Sequence, residues 1–194
     1  MISTKGTTDE TKEFTSKFIT PGVHEVKITN VTATTEDVKS PFLTFSFESK
    51  TGQSLETRLY VTEASKSYTL GKIKHMGNKV VTEETLDEVS GKNWTDYAKN
   101  LTRAISNKWF RMKFAGEMVA GGISDTGEKK KDWAKALIPH YVSGKTPGFA
   151  EKLTTIPSKL HFDPNNRFDM KPLETAAVET TTYSSNGKDD SFPF

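Results

Sequence analysis

The chain has 194 residues, 34% hydrophobic and 27% charged, with a formal net charge of +2 and no cysteine. That length supports one domain with a sizeable core plus tails, and the lack of cysteine excludes disulfides, Cys-ligated zinc and thiol catalysis. No run approaches the ~20 apolar residues of a membrane helix, and the polar start from Met1 to Lys12 has no signal-peptide core. A cytoplasmic protein without a membrane partner is expected.

Residues 1–13 read as a flexible lead, residues 14–173 as the folded body, and residues 174–194 as a tail. Pro21-Gly22 forms a turn into a β-rich stretch, Val23 to Thr32. From Phe42 to Glu48 the apolar residues Leu43, Phe45 and Phe47 alternate with Thr44, Ser46 and Glu48. After the turn at Thr51-Gly52, Leu55, Thr57, Leu59 and Val61 share one face of Ser54–Thr62, and Glu56, Arg58 and Tyr60 the other. This period of two around a short Gly-containing turn predicts a β-hairpin.

Ala64 to Ser106 is a helical region. Its clearest helix runs from Trp94 to Ser106, with Asn93 as N-cap and Trp94, Tyr97, Leu101, Ala104 and Ile105 as an apolar stripe. A strand follows at Lys108–Met118, then a Gly- and Lys-rich hinge from Gly121 to Lys131. Trp133 to Ser143 is strand-like, but Pro139 demotes it to an edge or a broken strand. From there to Leu173 the chain reads as irregular, punctuated by Pro147, Pro157, Pro164 and Pro172. The expected class is mainly β with a helical insert. Three strands, a helix and two strands is the order of an OB-fold, a five-stranded Greek-key barrel.

The small net charge hides an asymmetry. Residues 174–194 carry Glu174, Glu179, Asp189 and Asp190 against Lys188, a net of −3, which leaves +5 on the rest. A basic body with an acidic end fits a nucleic-acid binder. The Thr/Ser/Ala-rich stretch 174–188 reads as a disordered tether with a reach of roughly 22 Å. It leads to Asp189-Asp190-Ser191-Phe192-Pro193-Phe194. Here the acids steer toward basic surfaces, the proline restricts the backbone, and the last phenylalanine offers a ring and a carboxylate to a pocket with a cationic rim.

This tip, through Asp189, Asp190, Phe192, Pro193 and Phe194, closely resembles the acidic C-terminal tip of bacterial single-stranded DNA-binding proteins. That family uses its tip to recruit replication, recombination and repair enzymes, and the resemblance implies the same partners here. The body departs from the compact bacterial form in strand sequence and loop length, and looks more like the divergent versions that phages encode. A viral protein working in the host cytoplasm is then implied. A homo-oligomer is compatible with this, although the bacterial tetramer interface does not carry over.

A single-strand binder needs cations for phosphates and flat rings for bases on one surface. Three places offer both. On the strand Lys108 to Phe114, Phe110, Met112 and Phe114 suit a core, while Trp109, Arg111 and Lys113 face the other way. On the hairpin, Arg58 and Tyr60 share the polar face. On the last strand Trp133, Lys135 and Tyr141 share parity, just after the run Lys129-Lys130-Lys131. Tyr60, Trp109 and Trp133 are the expected stacking platforms.

Signals for catalysis are poor. His24, His75, His140 and His161 are scattered without metal-binding spacing, and Ser143-Gly144-Lys145-Thr146 lacks the earlier glycine of a phosphate loop, with Pro139 in its place. Asp163 to Asp169 lacks the mid-loop glycine and closing glutamate of a calcium loop and reads as a Pro/Asn turn. The expectation is therefore a single-stranded DNA-binding protein with no enzyme activity, cofactor or metal. Two alternatives are a strand-annealing recombination mediator and a protein-binding adaptor without DNA affinity.

Overall fold

The computed structural model describes residues 16–141, 144–154 and 157–173. The lead at 1–13, the tether and the acidic tip lie outside the described residues. Within them the chain is mainly β. Its principal strands are β1 (Gly22–Thr34), β2 (Phe42–Ser49), β3 (Ser54–Tyr60), β4 (Trp109–Val119) and β5 (Trp133–Leu137). Three helices stand between β3 and β4: α1 (Lys66–Gly77), α2 (Glu83–Asp87) and α3 (Trp94–Ile105). Two short strands, β6 (Ala150–Glu151) and β7 (Met170–Lys171), complete a seven-stranded sheet among the described residues.

Along the main path the sheet runs β3-β2-β1-β4-β5, antiparallel throughout; β6 also pairs with β4, and β7 pairs with it in parallel. The element order, three strands, helices and two further strands, is the one expected, and the five principal strands form one antiparallel sheet. No ladder joins β3 to β5 among the described residues, so the sheet is open there.

The alternation in β2 and β3 does what a period of two requires. Leu43, Phe45 and Phe47 are buried opposite Leu59, Thr57 and Leu55, whereas Glu56, Arg58 and Tyr60 are exposed. In β1 a bulge between Ile28 and Asn30 inserts one residue. Val26, Ile28 and Val31 all point inward as a result, because a bulge resets the parity of the strand. From β4, Phe110, Met112 and Phe114 fill the same core, with Phe114 edge-on to Phe47 at 5.3 Å between ring centroids.

α3 covers this core with Ala98, Leu101 and Ile105, and Trp94, Tyr97 and Ala104 pack beside them. Asn93 caps it as expected, its Oδ1 accepting from the Asp96 N–H at 2.9 Å. The ladder from β1 to β4 stops at Lys27–Trp109, leaving the far half of β1 without that neighbour. Thr102 of α3 takes over: its hydroxyl accepts from Val31 N–H at 2.9 Å, and its single proton lies between Ala98 C=O at 2.9 Å and Val31 C=O at 3.2 Å.

β5 ends at Leu137, two residues before Pro139. The proline cannot continue a ladder, and Tyr141 leaves the strand to pack on His75 and Phe149 at 4.4 and 5.4 Å between centroids. The stretch expected to be irregular supplies β6 and β7. Gly116 permits the close approach of β7, since a Cβ there would sit 2.8 Å from Pro21 Cγ and run into Met170. The Asp163–Asp169 segment is the turn its sequence indicates. Asn165 N–H bonds to Asp163 Oδ1 and Phe168 N–H to Asn166 Oδ1, and the described residues hold no metal-competent cluster. No helix among them is long and apolar enough to cross a membrane.

Candidate nucleic-acid interface

Of the three places singled out in the sequence, one stands apart in space and the other two meet along one groove. Trp109, Arg111 and Lys113 project together from the polar face of β4, as the alternation requires. There they meet carboxylates brought by distant segments. Arg111 donates to Glu151 at 2.8 Å and to Glu25 at 3.1 Å, and its side chain is 17% exposed. Lys113 pairs with the buried Asp169 at 2.5 Å. Trp109 lies beneath two amines instead of standing open, with Lys27 Nζ at 5.2 Å and Lys50 Nζ at 5.9 Å from its ring centroid. Those lysines are themselves tied to Glu48 at 3.3 Å and Glu25 at 2.6 Å.

The charges on this face are mutually tuned. Glu25 is held below the usual carboxylate range by hydrogen bonds from Lys50 and then Arg111. Burial pushes Glu151 up, but hydrogen bonds from Ser158, Arg111 and the Lys159 N–H outweigh it and leave it lowered. Bonding to Glu151 and then Glu25 holds the Arg111 guanidinium still more firmly protonated. This is a strap for β6 and β7. A phosphate reaching Arg111 or Lys113 must displace a carboxylate already in place.

Arg58, Tyr60, Trp133 and Lys135 lie together along the groove where the sheet stays open. The groove has two parts. One, of about 840 Å³, lies between Glu56–Tyr60 of β3 and Lys135–His140, with α1 forming an end wall. The other, of about 890 Å³, lies between Ser54–Glu56 of β3 and Trp133–Ala136 of β5, with Phe18, Ile19 and Pro21 beside it. Early residues of β3 face early residues of β5, so the two strands run in the same direction on either side of the groove.

Rings stand out along it. Tyr60 and Tyr68 are each 50% exposed and Trp133 is 53% exposed. Tyr60 meets Phe42 edge-on at 6.1 Å, and the Arg58 guanidinium lies over that same Phe42 at 4.5 Å. The Tyr68 ring is 6.2 Å from His140. Three cations, Arg58, Lys72 and Lys135, share the walls with three carboxylates, Glu48, Glu56 and Glu117. The groove is thus rich in rings and nearly neutral.

The lysines 129–131 sit on an exposed arm between β4 and β5. Its turn is closed by Ser124 N–H to Glu128 C=O at 2.8 Å and Gly127 N–H to Ser124 C=O at 2.9 Å, and Ile123 pairs with Lys129. The sequence reading missed Phe42, Tyr68, Lys72 and His140. A signal for two of them was available: Ser65, Tyr68, Thr69 and Lys72 fall at helical spacing, one face of α1. No protein-family model matches the chain, and no curated protein matches it significantly.

Proposed function

We propose that the chain binds single-stranded nucleic acid, DNA in the first instance, in the groove between β3 and β5. The observation that carries this reading is the row of half-exposed rings, Tyr60, Tyr68 and Trp133, in one groove with Arg58, Lys72 and Lys135. Bases are flat and apolar on their faces, so exposed rings grip a strand without reading its sequence. A duplex hides those faces.

The order β3-β2-β1-β4-β5, with helices between β3 and β4, supports reading the sheet as a partly open Greek-key barrel of the OB type. The segment Asp189–Phe194 is the proposed dock for replication or recombination enzymes. It is tested by removing residues 189–194: DNA affinity holds or rises while capture of such enzymes is lost.

The primary test is tryptophan and tyrosine fluorescence titrated with a poly-dT oligonucleotide at two salt concentrations, beside duplex of equal length. The expected result is quenching by the single strand well before the duplex. Stacking dominates in a nearly neutral groove, so the salt dependence is expected to be modest. Equal affinity for duplex, or none at low salt, overturns the proposal.

A further inference from the structure

Beyond stacking, the groove contains one cation whose position has no internal explanation. Lys72 lies on α1 and lines the larger-numbered end of the groove, where it meets Tyr60, Ser65, Tyr68 and Thr69. α1 is docked there firmly. The Thr69 and Ser65 hydroxyls both donate to the Tyr60 carbonyl, at 2.6 and 2.8 Å. Lys72 therefore sits one helical turn beyond Tyr68 on a fixed wall, not on a loose loop.

Several other basic residues make a useful contrast, though Lys79, on the loop after α1 and outside the groove, is half-buried as well, with Glu151 near enough to act on its charge. Lys27, Lys50, Lys74, Arg111 and Lys113 each hold a carboxylate. Arg58 lies on a ring. Lys135 has no such partner but is exposed to water. Lys72 is half-buried, and among the described residues its side chain has no hydrogen bond, ion pair or ring contact. Burial alone lowers its affinity for a proton. Holding an ammonium group out of water with nothing to neutralise it is unfavourable. A site that does so is poised to gain an anion.

Resting on the reading of the groove as a single-strand site, we infer that Lys72 is its phosphate anchor: the end of the groove beside α1 takes one backbone phosphate on the Lys72 ammonium, with the adjoining base against Tyr60 or Tyr68. Tyr60 and Tyr68 line the same space, and their hydroxyls are further donors. Glu56 and Glu117 line it too. They disfavour a free multivalent phosphate more than a singly charged phosphodiester, which is why a strand is the assigned ligand.

The experiment compares intact protein, Lys72→Met and Lys72→Arg for poly-dT binding across a salt series, with urea unfolding in parallel. Lys72→Met is expected to fold at least as stably, since it removes a poorly solvated charge. It should bind about tenfold more weakly at low salt, as loss of one charge-assisted contact implies. The slope of log K against log salt should become shallower by about 0.7, one phosphate on a single strand. Lys72→Arg should recover most of both. Unchanged affinity and slope in folded Lys72→Met overturn the inference while leaving the groove reading intact.

Should the intact protein bind no poly-dT, the groove reading falls, and the dinucleotide TpT, which carries a single phosphodiester, is then titrated while following Lys72 by NMR. A shift of the Lys72 side chain that saturates supports an anion site of its own kind. No shift up to millimolar TpT overturns it.

Discussion

The polar face of β4 and the groove between β3 and β5 present the same residue types, rings beside cations, but differ in what stands opposite them. On β4 the partners are carboxylates: Glu25 from β1, Glu151 from β6 and Asp169 just before β7. Along the groove the opposite wall is the edge of another strand that has not closed the ladder. One pattern therefore becomes a clasp and the other a cleft. An alternation of ring and cation along a strand identifies a polar face. Whether that face is free depends on neighbours far away in sequence.

The largest expected effect breaks the clasp. Asp169→Ala leaves the Lys113 ammonium, 12% exposed, without its carboxylate. Removing one member of a buried pair costs about 3–5 kcal/mol, read as a lower urea midpoint. Poly-dT affinity of the molecules that remain folded should not change. If affinity fell with stability unchanged, Lys113 and its surroundings would belong to the binding surface, and the division between clasp and cleft would be wrong.

The next effect sharpens the same division from the other side. Tyr60→Ala and Trp133→Ala should each weaken poly-dT binding by ~1–3 kcal/mol, one stacked base apiece, with stability within about 0.5 kcal/mol of the parent because both rings are half-exposed. Trp109→Ala removes a ring already covered by Lys27 and Lys50, so its effect on binding should be smaller than either. A Trp109→Ala defect equal to that of Tyr60→Ala would return β4 to the interface.

These differences mark how far the sequence can be read. The hairpin β2–β3, the core face of β4 and the capped helix α3 were legible because each depends on local periodicity or a cap: Leu43-Phe45-Phe47, Phe110-Met112-Phe114, Asn93 before Trp94. β6 and β7 were not, since two residues carry no period. They are held by Arg111–Glu151 and by the Gly116 backbone meeting the chain around Asp169, whose carbonyl accepts the Gly116 N–H at 2.7 Å. The bulge that lets Ile28 and Val31 both face inward leaves no local signature either. Arg58 and Tyr60, and Trp133 and Lys135, could be placed on polar faces from strand alternation, and the structure leaves all four exposed at the open edges of the sheet. Tyr68 and Lys72 were not legible as groove residues because only the tertiary docking of α1 against the end of β3 brings them to the groove.

A milder way to separate the two regions is acid. His75 Nε2 accepts from the N–H groups of Phe149 and Ala150, both at 3.3 Å, so the ring is neutral there. Burial, then the charge of Lys79, pushes its pKa down to about 4. The unfolded chain takes up that proton near pH 6.5. The stabilisation is complete above pH 6.5 and is lost as the pH falls toward 4. The lowered Glu25 and Glu151 contribute stability above their unfolded values, near 4.5, and lose it below that as the pH falls through their folded values. Thermal unfolding should therefore show two successive declines on acidification. His24 is lowered by burial too and adds to the first decline. His75→Gln, which keeps an acceptor but cannot titrate, should shrink the first decline to the part that His24 contributes and leave the second. A first decline undiminished in His75→Gln would assign it to another group.

The smallest expected effect concerns the arm between β4 and β5, which joins neither region through its side chains. Its turn is held by the main chain and by Ser124, whose Oγ accepts from Glu128 N–H at 3.0 Å, so replacing Lys129, Lys130 and Lys131 by Gln should leave stability unchanged. The three amines are exposed and precede, by two to four residues in sequence, Trp133, which lines the groove. Exposed amines reach phosphates through water and salt, and each contact made contributes about 0.7 to the salt slope. The triple variant should therefore bind poly-dT a few-fold more weakly at low salt and nearly as well as the parent at high salt. A convergence of the two curves with rising salt places the arm along the path of the strand. Parallel curves would mean that the strand ends at Trp133, with the arm no more than a solvated turn.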